Sequence, residues 1–181
     1  IDDFFAYGRL SAREFMQRVQ QLLVRYRRRI QQAQLNLIDS HDVPRFLTKG
    51  GGDERRLRLA ALFLFTHPGV PMLFYGDERG LSGRHESEYR RPMDWSGGEC
   101  PLSDFIREAA ELRYRHVKAI QYGWRELFSD ERALAYEAEL NGHGFTIAMN
   151  VSEAPRTIEL QAGAGNTSIE LEAMSAKILE Y

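Results

Sequence analysis

The chain has 181 residues, of which 43% are hydrophobic and 28% charged, a composition that suits one globular domain or two small ones and excludes a disordered polypeptide. The formal net charge of −2 gives no reason to expect nucleic acid as a partner, and no run reaches the roughly 18–20 apolar residues of a membrane span. The charge is uneven: residues 1–91 hold 16 basic and 11 acidic side chains, net +5, and residues 92–181 hold 8 and 15, net −7, as two regions with different surroundings would. One cysteine, Cys100, excludes an intrachain disulfide and fits a reducing compartment. The start, Ile1-Asp2-Asp3, has neither Met nor a signal pattern, so the sequence reads as a piece of a longer one.

In chain order, residues 11–31 read as a helix. Ser11 and Glu14 have capping-box spacing, and Phe15, Val19, Leu22, Leu23, Tyr26 and Ile30 recur at helical period. The arginines at 25 and 27–29 read as a solvated helix end, where cations suit the macrodipole. Residues 34–39 read as a short strand, 40–52 as a loop ending in three glycines, and 54–66 as a helix capped by Asp53 and apolar almost all round. Residues 70–75 form a short apolar run bounded by Gly69 and Gly76, consistent with a buried parallel strand that opens near Pro71. A polar loop spans about 76–101 and a helix about 103–119, with Phe105, Ile106, Ala109, Leu112 and Val117 on its apolar side.

The alternation over 11–119 implies parallel strands joined by crossover helices. Past about residue 120 the period changes. Residues 124–129, 133–140, 143–150, 155–160, 167–172 and 175–180 read as antiparallel strands, with Asn141-Gly142 as a hairpin turn. The expected organisation is therefore residues 1–120 as an α/β part and 121–181 as an all-β part. Two βα units cannot close a barrel, and their unpaired strand edges should invite association.

Two polar clusters follow the two strands. Asn36-Leu37-Ile38-Asp39-Ser40-His41-Asp42-Val43-Pro44-Arg45 places a His-Asp pair just past the first, where α/β barrels keep catalytic groups; Asp42 could equally cap a helix. The loop 76–95 follows the second, and Asp77, Glu78, Arg79 and Arg90 there read either as site residues or as a structural ion-pair network. The histidines at 67, 85, 116 and 143 show no metal-ligand spacing. Trp95 and Trp124 could stack on sugars, though core packing is the commoner use of such residues.

Together the clusters resemble the α-amylase superfamily, glycoside hydrolase family 13. Asn36-x-x-x-Ser40-His41-Asp42-x-x-Arg45 is similar to the signature after the family's seventh barrel strand. Gly69-x-Pro71-x-x-x-Tyr75-Gly76-Asp77-Glu78-x-Gly80-Leu81, followed by Arg90-x-Pro92-Met93-x-Trp95, is similar to its eighth strand and loop. The Ser-His-Asp-x-x-Arg form most resembles the neopullulanase, cyclomaltodextrinase and maltogenic amylase subgroup. The resemblance implies a fold of α/β plus all-β class: the last two βα units of a (β/α)8 TIM barrel, then a C-terminal antiparallel β-sandwich domain.

It also implies a function: the C-terminal part of a retaining α-glucan hydrolase or transglycosylase acting on maltodextrins, cyclodextrins or pullulan. Asp42 would stabilise the transition state and His41 would hydrogen-bond the sugar at the cut. Arg45, Glu86 and Arg90 would bind substrate, and Tyr75, Asp77 and Glu78 would support the site. The family's nucleophile and acid/base follow earlier strands, so these residues alone should be inactive. One departure stands out: Glu86-Ser87 occupies the place of the family's Asp-Pro ahead of the loop arginine. No cofactor or metal is expected here, since family calcium sites lie mostly upstream. The expected partner is an α-glucan oligosaccharide, with neither nucleic acid nor membrane involved. The chain by itself should self-associate, or the full-length enzyme dimerise, in a bacterial cytoplasm. The alternatives are a non-catalytic α-amylase-like partner subunit, against which retention of His41 and Asp42 speaks, and a carbohydrate-binding module, which would need an aromatic stripe that 121–181 lacks.

Overall fold

A computed structural model describes residues 1–162 and 165–181. A five-residue π-helical turn, Asp2–Ala6, buries Phe4 and Phe5 and leads into α1, Ala12–Arg25. Ser11 caps α1: its hydroxyl accepts from the Glu14 N–H at 3.2 Å, and the Glu14 carboxylate accepts from the Ser11 N–H at 2.8 Å. The single helix expected over 11–31 is two. Tyr26 is extended (φ −112°, ψ 141°), and α2, Arg28–Ala33, follows. The break has a local cause. The Gln31 amide donates to the carbonyls of Leu23 and Tyr26, meeting acceptors that a continuing helix would have satisfied. Leu22 and Ile30, expected on one apolar stripe, are exposed.

Strand β1, Leu35–Leu37, pairs in parallel with β2, Val70–Met72. Both are shorter than the expected 34–39 and 70–75, because each has a partner on one edge only and the ladder stops where that partner stops. Pro71 sits mid-strand. Val70 N–H donates to the Gln34 carbonyl, so the position of Pro71 turns its donorless nitrogen to the unpaired edge. Between the strands lie α3, Phe46–Lys49, within the stretch expected to be a loop, and α4, Glu54–Thr66. Asp53 caps α4 through the Arg55 N–H at 3.0 Å. Every residue from Leu59 to Leu64 of α4 is buried. After β2 come a 3-10 turn, Asp77–Arg79, a short helix α5, Glu86–Tyr89, and a 22-residue helix α6, Pro101–Tyr122.

Six antiparallel strands follow: β3 (Trp124–Ser129), β4 (Ala133–Leu140), β5 (His143–Asn150), β6 (Arg156–Ala162), β7 (Gly165–Leu171) and β8 (Ser175–Glu180). They make a four-stranded sheet ordered β3-β4-β5-β8 and a hairpin β6-β7. Asn141 and Gly142, at φ 57° and 82°, supply the turn whose twist suits a hairpin. Alternation in β4 and β5 sends Leu134, Tyr136, Ala138, Phe145, Ile147 and Met149 into the core shared with the helices. Ala133, Ala135 and Ala148 turn to the other side, where Ile158, Leu160, Ile169 and Leu171 of the hairpin cover them. Three alanines on that side let the second sheet approach closely. The main core therefore runs continuously past residue 120, and inside it the Tyr136 hydroxyl meets Thr66 Oγ1 of α4 at 2.6 Å. Among the described residues no helix is long and apolar enough to cross a membrane.

Candidate active site

The chain leaves β1 through Ile38 and Asp39, both buried, and emerges at Ser40-His41-Asp42. The emergence is a tight turn: the Val43 N–H donates to the Ser40 carbonyl at 3.4 Å and the Asp42 N–H to Ser40 Oγ at 3.3 Å. His41 Nε2 lies 3.3 Å from Asp42 Oδ2, and both side chains are about two-thirds exposed, at 65% and 67%. An imidazole and a carboxylate thus stand open to solvent just beyond the end of a parallel strand.

Arg90, at the end of α5, brings the second cluster onto the first. Its Nε donates to the His41 carbonyl at 2.8 Å, its Nη2 to Asp42 Oδ1 at 3.3 Å, and its Nη1 lies 2.6 Å from Glu86 Oε1. One guanidinium therefore links the turn after β1 to the loop after β2. Exposed ion pairs of this kind contribute only about 0–1 kcal/mol to stability, so their significance is geometric.

Arg45, expected at the substrate, is fully buried and serves as a structural anchor instead. Nη1 donates to the Tyr75 carbonyl at 2.6 Å and lies 3.3 Å from Asp77 Oδ1, while Nε donates to the Tyr89 carbonyl at 3.1 Å. Its guanidinium carbon stands 4.0 Å from the Phe74 ring centroid, a cation over an aromatic face. Those acceptors take up Nε and Nη1, Nη2 is buried without a partner among the described residues, and no surface of the side chain reaches the open site.

The supporting residues behave as fasteners. Tyr75 donates its hydroxyl to the Arg91 carbonyl at 2.8 Å, and Glu78 accepts from the Gly76 N–H at 2.8 Å. Gly76 and Gly80, at φ 89° and 67°, bracket the 3-10 turn in a conformation that costs other residues energy. Glu88 accepts from the N–H groups of Arg84 at 2.7 Å and His85 at 3.3 Å, which hold its carboxyl below the usual range. Arg79 clasps the Gly97 and Gly98 carbonyls at 2.9 and 3.1 Å. Trp95 is 81% exposed, whereas Trp124 packs on His67 and Tyr136 as a core residue.

Beneath the open pair lies a buried acidic pair that sequence reasoning passed over as a site. Asp39 and Asp77 are each 1% exposed. Burial, reinforced by the neighbouring Asp39 charge, pushes Asp77 up to about 8, and burial also raises Asp39. No motif marks Asp39 as different from its exposed neighbours. Among the described residues, no group of three or more His, Cys, Asp or Glu side chains could hold a metal ion.

The site as built offers hydroxyl-binding groups: a carboxylate, an imidazole, and a guanidinium shared with a second carboxylate. Planar polar groups at a solvent-open strand end suit a polyhydroxylated ligand. Comparison with known proteins agrees in kind. The family model for the α-amylase catalytic domain matches residues 6–139. Neopullulanase 2 of Thermoactinomyces vulgaris is 38% identical over 135 residues, 74% of this chain and 23% of its own length. A cyclomaltodextrinase of a Bacillus species is 34% identical over 166 residues, 89% of this chain and 30% of its own length. A solved cyclomaltodextrinase structure superposes with a TM-score of 0.88 at 29% identity, over 95% of this chain and 33% of that one. The chain thus spans between about a quarter and a third of the length of these relatives.

Proposed function

We propose a function from one established premise: this chain belongs to the α-amylase catalytic-domain family, glycoside hydrolase family 13. In this reading it is the C-terminal part of a retaining α-glucan hydrolase or transglycosylase that acts on maltodextrins, cyclodextrins or pullulan. Residues 1–120 form the last two βα units of a (β/α)8 barrel, and 121–181 the antiparallel β-sandwich domain that follows. The parallel β1–β2 pair and the two packed antiparallel sheets support this division. The observation that carries the functional reading is Arg90, which draws the two motif-bearing loops together at the same end of that pair.

Asp42 acts as the transition-state carboxylate, binding sugar hydroxyls of the distorted ring, and His41 hydrogen-bonds the same sugar. Glu86 and Arg90 grip a unit away from the cut. The nucleophile and the acid/base come from upstream strands of a longer polypeptide, so these 181 residues have no glycosidase activity alone. The working enzyme is intracellular, like the intracellular maltogenic amylase of Bacillus subtilis that it resembles.

Asp42→Asn, made in the longer polypeptide, tests the assignment. It should lower kcat by the order of 3 kcal/mol, about a hundredfold or more, while moving KM little, as loss of a group acting on the transition state does. Near-normal turnover of maltodextrin by this variant would remove Asp42 from the mechanism.

A further inference from the structure

Asp39 and Asp77 come from opposite sides of the site, one at the end of β1 and one in the 3-10 turn after β2, yet burial brings their carboxyl groups into one cluster with Arg45, each residue only 1% exposed. Asp39 Oδ2 accepts from the Phe46 N–H at 2.6 Å, and Asp77 Oδ1 faces Arg45 Nη1 at 3.3 Å. The two remaining oxygens, Asp39 Oδ1 and Asp77 Oδ2, and Arg45 Nη2 are buried and have no hydrogen-bond partner among the described residues. Two carboxylates can hydrogen-bond only if one of them carries a proton. We propose that Asp39 and Asp77 hold a single proton between them and, with Arg45, form an internal clamp that positions the His41–Asp42 turn.

The surrounding charges leave little else to balance the pair. Arg45 supplies one positive charge. Lys49, on α3, is held by Asp2 at 2.6 Å and by the Ile38 carbonyl at 3.1 Å. Glu78 turns its carboxylate onto Gly76, and Arg90 and Asp42 lie in the exposed layer above. One proton makes the cluster neutral: one guanidinium, one carboxylate, one carboxylic acid. A second ionised carboxylate would be buried without a partner. The raised Asp77 agrees with this balance.

The clamp acts on the turn from both of its ends. Asp39 precedes Ser40-His41-Asp42 and Arg45 follows it; Arg45 bonds to the Asp77 carboxyl, and the shared proton would fasten Asp39 to the same group. The turn can then shift only if the cluster opens. These three are positioning residues; their effect on turnover rests on the proposed function, whereas the shared proton does not.

The experiment compares the full-length polypeptide with its Asp77→Asn and Asp77→Ala variants. Asparagine can donate an N–H to Asp39 permanently and accept from Arg45; alanine can do neither. Infrared difference spectra at neutral pH should show a protonated-carboxyl band in the parent that both variants lack. Asp77 is raised from 3.8 to about 8 in the fold, so its stabilising contribution is complete below the lower value and is lost as pH rises through the higher one. Asp77→Asn should flatten that loss. Absence of the band, or an Asp77→Asn stability profile parallel to the parent's, would overturn the shared proton. In kinetics, Asp77→Ala should lower kcat by about tenfold with KM little changed, and Asp77→Asn should restore most of that loss. Equal kcat in parent and Asp77→Ala would overturn the positioning role. An inactive parent would count against the proposed function and leave the infrared and stability results to decide the proton.

Discussion

Arg90 spends one guanidinium on three partners: the His41 carbonyl, Asp42 and Glu86. With Glu86 it forms the grip proposed for a distal glucose. Arg90→Ala should therefore weaken binding of long maltooligosaccharides by about 1 kcal/mol, roughly fivefold, and of short ones less. Dissociation constants for a series of chain lengths check this; an equal loss at every length would make Arg90 a brace for Asp42 alone. That His41, Asp42, Glu86 and Arg90 belong to two polar clusters was legible because they follow directly on apolar runs, and the fold brings those clusters together. Arg45 was misassigned because a motif arginine looks the same in sequence whether it faces a sugar or the interior. Only the fold shows that its donors go to Tyr75, Asp77 and Tyr89. The Asp39–Asp77 pair was illegible for the same reason, since 38 positions of chain separate two residues that burial brings together.

At the scale of elements, the join between α6 and β8 carries a second prediction. α6 leaves helical geometry at His116 (φ −114°, ψ 21°), where Arg115 and His116 reach Glu180 at 2.9 and 2.7 Å. The Arg115 hydrogen bond first, and then His116, hold Glu180 down to about 2 from 4.5. A lowered carboxylate stabilises the fold above its unfolded value, and that contribution disappears as pH falls through the folded one. Glu180→Gln should therefore be less stable than the parent at neutral pH, with the gap closing between 4.5 and about 2. Urea midpoints across that range check it; a gap independent of pH would mean that packing, not charge, joins the elements. The long periodic elements α1, α4 and α6 and the hairpin at Asn141-Gly142 were readable from spacing and turn chemistry. The 11–31 break was not, because it depends on where the Gln31 amide goes. Four-residue helices such as α3 and α5 are too short for a period to show.

For the molecule as a whole, the two ends of the chain differ in charge but share a core, with Tyr136 of β4 bonded to Thr66 of α4. The other side of the α/β part is less covered. Leu35, Leu37 and Val70 on the two parallel strands are 56%, 40% and 45% exposed, and each strand has one open edge. Apolar strands open at the edge associate. In dilute solution the isolated chain should therefore exceed its monomer mass of 20.9 kDa in light scattering, and a stable monomer would show that the edges are protected some other way. The same incompleteness governs chemistry. Under the proposed function these residues bring Asp42 to an α-glucan site whose nucleophile and acid/base lie upstream. The most direct test is release of reducing ends from maltodextrin by the 181-residue chain alone, set against the same chain continuous with the upstream part of its catalytic domain. The prediction is no turnover above the blank for the isolated chain and robust turnover for the longer polypeptide; hydrolysis by the isolated chain at the rate of the longer one would contradict it.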